Sequence, residues 1–150
     1  MRINNRLFPK ISENESLKKV YSDIEVPLIS VLSKMEMKGV LIDSEMLKRH
    51  SRQLKSKMVS LETRAHRLAG EPFNISSPKQ IQEILFNKMK IPVIARTPKG
   101  QPSTSESVLS DLSKDYELPK ISLDYRSIAK LCSTYTDKLP NQVNIKTGRI

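Results

Sequence analysis

Arg126, Lys130 and Thr134 follow one another at spacings of four, so a helix would set two cations and a hydroxyl along one side. Such a row can neutralise or hydrogen-bond successive phosphates of a polyanion. A second group lies between Lys79 and Gly100, where Lys79, Lys88, Lys90, Arg96 and Lys99 stand against Glu83 alone. A third is the run Phe73-Asn74-Ile75-Ser76-Ser77-Pro78. Backbone N–H groups at a helix start, with Asn and Ser side chains nearby, can hold a phosphate oxygen or simply cap the helix. Nucleophilic and zinc chemistry find no such support. The single cysteine, Cys132, has no base beside it in sequence, His50 and His66 both fall in a helical pattern, and no Cys/His cluster has ligand spacing. A lone cysteine cannot close an internal disulfide and suits a reducing cytoplasm, the localisation expected here.

The balance of charge agrees with a polyanion partner. Across 150 residues, 26 Lys and Arg oppose 16 Asp and Glu, for a formal net charge of +10. A soluble domain that is basic without purpose remains the plainer reading of charge taken alone. No segment approaches the roughly 20 apolar residues needed to span a bilayer, so no membrane partner is expected. Met1 to Lys10 lacks the apolar stretch of a signal peptide. The length fits one modest domain. A hydrophobic fraction of 37%, aromatics at 5% and no Trp predict a slender shape with a thin core.

The elements that must position these residues are helices. Leu17 to Lys38 forms a periodic segment with Val20, Ile24, Leu28, Val31, Leu32 and Met35 on one face, Gly39 as its stop and Pro27 as a bend or break. Val40, Leu41 and Ile42 read as a short extended run, and Asp43 as an N-cap. Ser44 to Ala69, closed by Gly70 and Pro72, carries Leu47, Leu54, Leu61 and Leu68 every seven residues, with Ser51, Met58 and Ala65 completing a heptad-type seam. Ile121, Tyr125, Ile128, Cys132, Tyr135 and Leu139 make a second seam on a helix from Lys120 to Lys138. The expected fold is therefore mainly α: an elongated antiparallel helix pair, a coiled-coil-like stalk, with a small helical tip. In the tip, Ser77-Pro78-Lys79-Gln80 reads as a capping box, Ser103 with Glu106 as another, and Ile91 to Pro102 as a basic exposed loop.

The run from Tyr125 to Pro140, Tyr-Arg-Ser-Ile-Ala-Lys-Leu-Cys-Ser-Thr-Tyr-Thr-Asp-Lys-Leu-Pro, closely resembles the thumb segment of the family A DNA polymerases. Supporting stretches stand in the family's order along nearly the whole chain: Ile24 to Leu28, Lys38 to Asp43, Phe73 to Ser77, Pro102 to Glu106 and Lys146 to Ile150. The resemblance implies three parts: residues 1–42 as the trailing end of the 3'-5' exonuclease domain with a connecting helix, 43–142 as the thumb, and 143–150 as the start of the palm. It implies a partner, duplex primer-template DNA, gripped along its backbone without sequence reading, together with the palm, fingers and exonuclease domains of a full polymerase. It further implies that Asn74 and Ser77 touch the DNA backbone at the tip, with Lys79, Arg96 and Lys99 nearby. Arg126, Lys130, Thr134 and Tyr135 would line the part of the thumb nearest the duplex, Tyr135 being alternatively buried in the seam. Cys132 stands where the family often has another basic residue, which would remove one phosphate contact.

Catalysis in that family resembles two-metal phosphoryl transfer. The palm carboxylates that hold magnesium are expected beyond Ile150, and the exonuclease carboxylates before Met1. No catalytic residue, metal ligand or cofactor is accordingly expected within the 150 residues, which should bind as a monomer without adding nucleotides. Two other readings fit charge and seams alone. One is a leucine-zipper-like dimerisation module, although Gly39 and Asp43 interrupt the continuous basic extension such a protein needs. The other is an RNA-binding accessory protein, weakened by the scarcity of aromatics for base stacking.

Overall fold

The structure is a computed structural model that describes residues 2–150, with side chains from Asn5 onward. It divides into two compact units, one of Asp43–Gln142 and one of Met1–Ile42 with Val143–Ile150.

In the first of these, Asp43 starts the longest helix. Its Oδ1 accepts the Met46 N–H at 2.8 Å, satisfying one of the free donors of the first turn. Helix α4 (Ser44–Ala69) then runs for 26 residues, about 39 Å at 1.5 Å each. It stops at Gly70, which takes the left-handed conformation (φ 72°) and donates its N–H to His66 O at 2.8 Å.

Its partner, α7 (Glu117–Leu131), begins three residues before the expected Lys120. Pro119 is tolerated because the N–H groups of a first turn have no intrahelical acceptor. The helix also changes character before Lys138. Cys132–Thr136 forms a turn of π-helix, with the Asp137 N–H reaching back five residues to Cys132 O at 2.9 Å. Arg64 near the end of α4 pairs with Glu117 at the start of α7 (2.6 Å). Ser51 and Lys55 near the start of α4 reach Asp137 beyond its end (2.5 and 3.0 Å). The two helices are therefore antiparallel, and α4 packs along α7 of its own chain.

Both seams differ in detail from the heptad reading. On α4 the buried positions are Ser51, Ala65 and Ala69, while Leu47, Leu54 and Leu61 are half-buried and Leu68 is exposed. Small side chains line the closest approach and the leucines flank it. On the other helix Ile121 and Cys132 are buried as expected, but Thr136 takes the next inward place and Tyr135 is left half exposed. The extra residue of the π turn moves the inward position on by one.

The tip fills the space between the two long helices' chain ends with α5 (Pro78–Gln82), a π turn (Glu83–Lys88) and α6 (Glu106–Leu112). Its core joins Ile75, Ile81, Leu85 and Leu109 to Ala65, Leu118 and Ile121 of the long helices. Ser77 caps α5, its Oγ 3.4 Å from the Gln80 N–H, but the box does not close. Gln80 Oε1 accepts the Asn74 N–H instead (2.6 Å), because Asn74 O already holds the Ser77 N–H (2.9 Å). Ser105, not Ser103, caps α6; Ser103 Oγ accepts the Ser105 N–H at 3.2 Å. The loop from Ile91 to Pro102 is a tight hairpin, with Arg96 bridged to Pro102 and Ile91 buried at its root.

The other unit holds α1 (Arg2–Ser12), α2 (Glu15–Val20), a π turn (Tyr21–Glu25) and α3 (Val26–Lys38). Helix α1 has no counterpart in the sequence reading. Pro27 neither breaks nor splits the segment that follows: a π turn precedes it, with the Val26 N–H on Tyr21 O, and the helix continues. None of the residues from Glu15 to Glu25 except Tyr21 is even half-buried, and the apolar face of α3 is exposed. Gly39 ends α3 at φ 66°, where a Cβ would come within 2.5 Å of Ile150 O. Val40 and Ile150 exchange backbone bonds there, at 2.9 and 3.0 Å. Among the described residues, β-bridges are limited to the isolated pairs Leu41–Arg149 and Arg96–Pro102.

Candidate nucleic-acid interface

The expected contact residues of Asp43–Gln142 fall into three local groups. The first is the turn into α5. Asn74 is exposed, and its Oδ1 accepts the Ser76 N–H at 2.8 Å, which folds the run into an Asx turn. Ser77 is half-buried with its Oγ engaged as a cap, so the capping role is the one its geometry displays. Lys79 follows it, exposed, beside a hollow shared with Gln82, Glu83, Asn87 and Gln101. Glu83 hydrogen-bonds Asn87 at 2.7 Å and forms no ion pair with Lys79.

The second group is the hairpin. The Gly100 N–H donates to Thr97 O (2.8 Å) and the Thr97 N–H to Gln101 O (2.7 Å), which closes a tight turn. Gly100 serves it at φ 79°, a conformation that side chains disfavour. Arg96 Nη1 donates to Gly100 O at 2.8 Å across the turn, whereas Lys99 at its tip is exposed and has no ion-pair partner among the described residues. Gln82 Nε2 ties the hairpin to α5 through Gln101 Oε1 at 3.2 Å.

The third group is on α7 and its π turn. Arg126 and Lys130 line one 440 Å³ hollow with Glu106 and Ser110 of α6 and Asp124 of α7, acidic company that spacing along one helix does not reveal. The two cations differ. Lys130 is exposed, while Arg126 is partly buried, donates Nη1 to Thr104 O at 2.7 Å and has its Nη2 buried without a partner. That burial works against its charge and pulls its pKa down. Thr134 is exposed on the π turn. Tyr135 is half exposed and opens on a different hollow, between α4 and α7, with His50, Gln53 and Lys57. No single cavity gathers all nine residues.

Ion pairing sorts the remaining cations. Lys48, Lys55, Arg64 and Lys88 are held by Glu45, Asp137, Glu117 and Glu71 at 2.6–3.0 Å. Among the described residues, Arg49, Arg52, Lys57, Arg67, Lys79, Lys90, Lys99 and Lys130 have no such partner, which leaves their charge available to a polyanion. At the far end of the pair, hydrogen bonds from Ser51 and then Lys55 hold the Asp137 carboxyl below the usual carboxylate range. Two participants escaped the sequence reading: Gln101, and the backbone carbonyl of Thr104. Neither residue type carries a signal, because both act through partners distant in sequence. Among the described residues no group of three or more His, Cys, Asp or Glu could hold a metal ion, and no helix is long and apolar enough to cross a membrane.

A family model described as DNA polymerase family A matches residues 44–150. The DNA polymerase I of Pseudomonas aeruginosa is 49% identical over 151 residues, covering 100% of this chain and 16% of its own length. The thermostable DNA polymerase I of Thermus aquaticus is 37% identical, covering 99% of this chain and 18% of its own. The chain thus spans under a fifth of these curated relatives. Among solved structures, the POL domain of Pol1 from M. smegmatis, in complex with DNA primer-template and dNTP, superposes with a TM-score of 0.78 at 27% identity, over 98% of this chain and 25% of that one.

Proposed function

Because the chain belongs to DNA polymerase family A, we propose that Asp43–Gln142 is a thumb that holds primer-template duplex through its backbone. Residues 1–42 are then the trailing end of an exonuclease domain with its connecting helix, and 143–150 the start of a palm. The observation that carries the reading is the likeness, over 98% of the chain, to a POL domain solved with primer-template. The unpaired cations give it a physical basis, since neutralising phosphates releases counterions whatever the sequence. Asn74, Ser77, Lys79, Arg96, Lys99, Lys130, Thr134 and Tyr135 are the proposed contacts, and Arg126 already commits one guanidinium nitrogen inside the protein. Nucleotidyl transfer, magnesium binding and the fingers belong in this reading to other parts of a polymerase. The buried lone thiol of Cys132 accords with a reducing cytoplasm.

Fluorescence anisotropy of a labelled primer-template duplex, titrated with the 150-residue chain between 50 and 200 mM salt, tests this. Affinity should fall steeply with salt, and Lys99→Ala and Lys130→Ala should each weaken binding and reduce the slope of log affinity against log salt by about one. Binding that ignores both salt and these substitutions overturns the reading. Equal affinity for duplex RNA would turn it toward RNA.

A further inference from the structure

We infer that Arg126 is a positioning residue for the tip: from α7 it braces the hairpin that carries Arg96 and Lys99, instead of touching phosphate itself. The inference rests on the duplex-binding reading for its functional consequence, but the brace is geometric. Arg126 Nη1 donates to Thr104 O at 2.7 Å, and Nη2 is buried with no partner, so neither terminal nitrogen is presented as a free phosphate donor should be. Thr104 adjoins the hairpin's closing bonds. Its neighbour Ser103 donates its N–H to Ala95 O at 2.9 Å, and Pro102 is bridged to Arg96. A restraint on Thr104 is therefore felt at Ala95 and Arg96 through the backbone.

The hairpin's other tether, Gln82 to Gln101, is a 3.2 Å bond between exposed neutral side chains. Such a bond competes with water, whereas a guanidinium donating to a carbonyl in a partly buried setting is charge-assisted and shielded. Removing the Arg126 donor leaves the weaker tether alone. One turn on, Lys130 is exposed and, among the described residues, forms no ion pair. The two cations at spacing four on α7 thus divide the labour, one gripping and one holding the grip in place.

The test uses the whole chain and four variants: Arg126→Met, which keeps an apolar stem and loses the donors; Arg126→Lys, which restores one donor; the pair Arg96→Ala with Lys99→Ala; and that pair combined with Arg126→Met. Amide hydrogen exchange reads the brace without DNA. Arg126→Met should raise exchange at Thr97, Gly100 and Ser103 on the order of tenfold while α4 stays protected, and Arg126→Lys should restore protection. On duplex DNA, Arg126→Met should lower the salt slope by about two, as the hairpin pair does, and add nothing to the pair. Lys130→Ala should keep its full effect in every background, which a general loss of structure would not allow. A further drop of one in slope when Arg126→Met is added to the pair identifies a phosphate contact and overturns the proposal. Unchanged hairpin exchange in Arg126→Met overturns it as well. If the wild-type chain shows no salt-dependent binding, the duplex reading fails on its own, and the exchange experiment still decides the brace.

Discussion

The two ends of the α4–α7 pair are joined by different chemistry. Near Ala65, Ala69 and Ile121 the helices meet over the tip, where Leu85, Leu109, Leu118 and Ile81 are all but fully buried. Near Ser51 and Cys132 the inward residues are small or polar, and the ends are tied by Ser51 and Lys55 to Asp137. Apolar burial is strong and indifferent to direction. A hydrogen bond contributes less, yet it fixes geometry. The tip end therefore supplies stability and the Asp137 end supplies register, the relative setting of one helix along the other.

The sharpest way to break that contrast is to cut into each end and compare. Leu109→Ala, at a residue with no exposed surface, should cost about 3 kcal/mol of unfolding free energy, read from urea denaturation. A loss under about 1 kcal/mol, in the range of a surface change, would mean that the tip is not where stability resides. Asp137→Asn should cost less, about 1 kcal/mol, because it weakens bonds at a partly solvated carboxylate.

The pH dependence of that second variant sharpens the point. The folded Asp137 titrates below its ordinary value of 3.8, so its contribution is complete above that pH and is lost as pH falls through the lower, folded value. The urea midpoint of the wild type should therefore approach that of Asp137→Asn as pH is lowered from 7 to 3, and an undiminished gap would refute the role given to Ser51 and Lys55. The smallest effect expected is a gain. Thr136 Oγ1 is buried without a partner, so Thr136→Val should be neutral or should raise the urea midpoint slightly, by at most about 1 kcal/mol in stability. A clear loss would show that the hydroxyl is satisfied in solution.

What could be read in the chain and what could not divides along the distance between partners. Asp43, Gly39 and Gly70 announce helix ends because caps act on residues three or four away, and α4 appears where the periodicity sets it. The small-residue line through Ser51 and Ala65 is visible too, although the seven-residue leucine repeat beside it is the louder signal and its members are half-buried or, at Leu68, exposed. Gln80 was legible as a capping residue but not in its choice of Asn74, since that depends on how the preceding turn folds. Arg126 is the hardest case. Its spacing with Lys130 predicts a shared face, and its separate role comes from a carbonyl 22 residues away, across a packed interface. Charge sums fail for the same reason: Lys55 and Arg64 count as free cations until folding brings Asp137 and Glu117 beside them.

The π turn at Cys132–Thr136 works as a clutch in the helix. A residue added to a regular helix would rotate everything downstream by about 100°, whereas a local bulge confines the slip to one turn. The rows of side chains before and after it are therefore not one surface but two in different phase. Leu118 and Ile121 belong to the tip core, Ile128 and Leu131 face the middle of α4, and Thr136 and Asp137 meet its first turns.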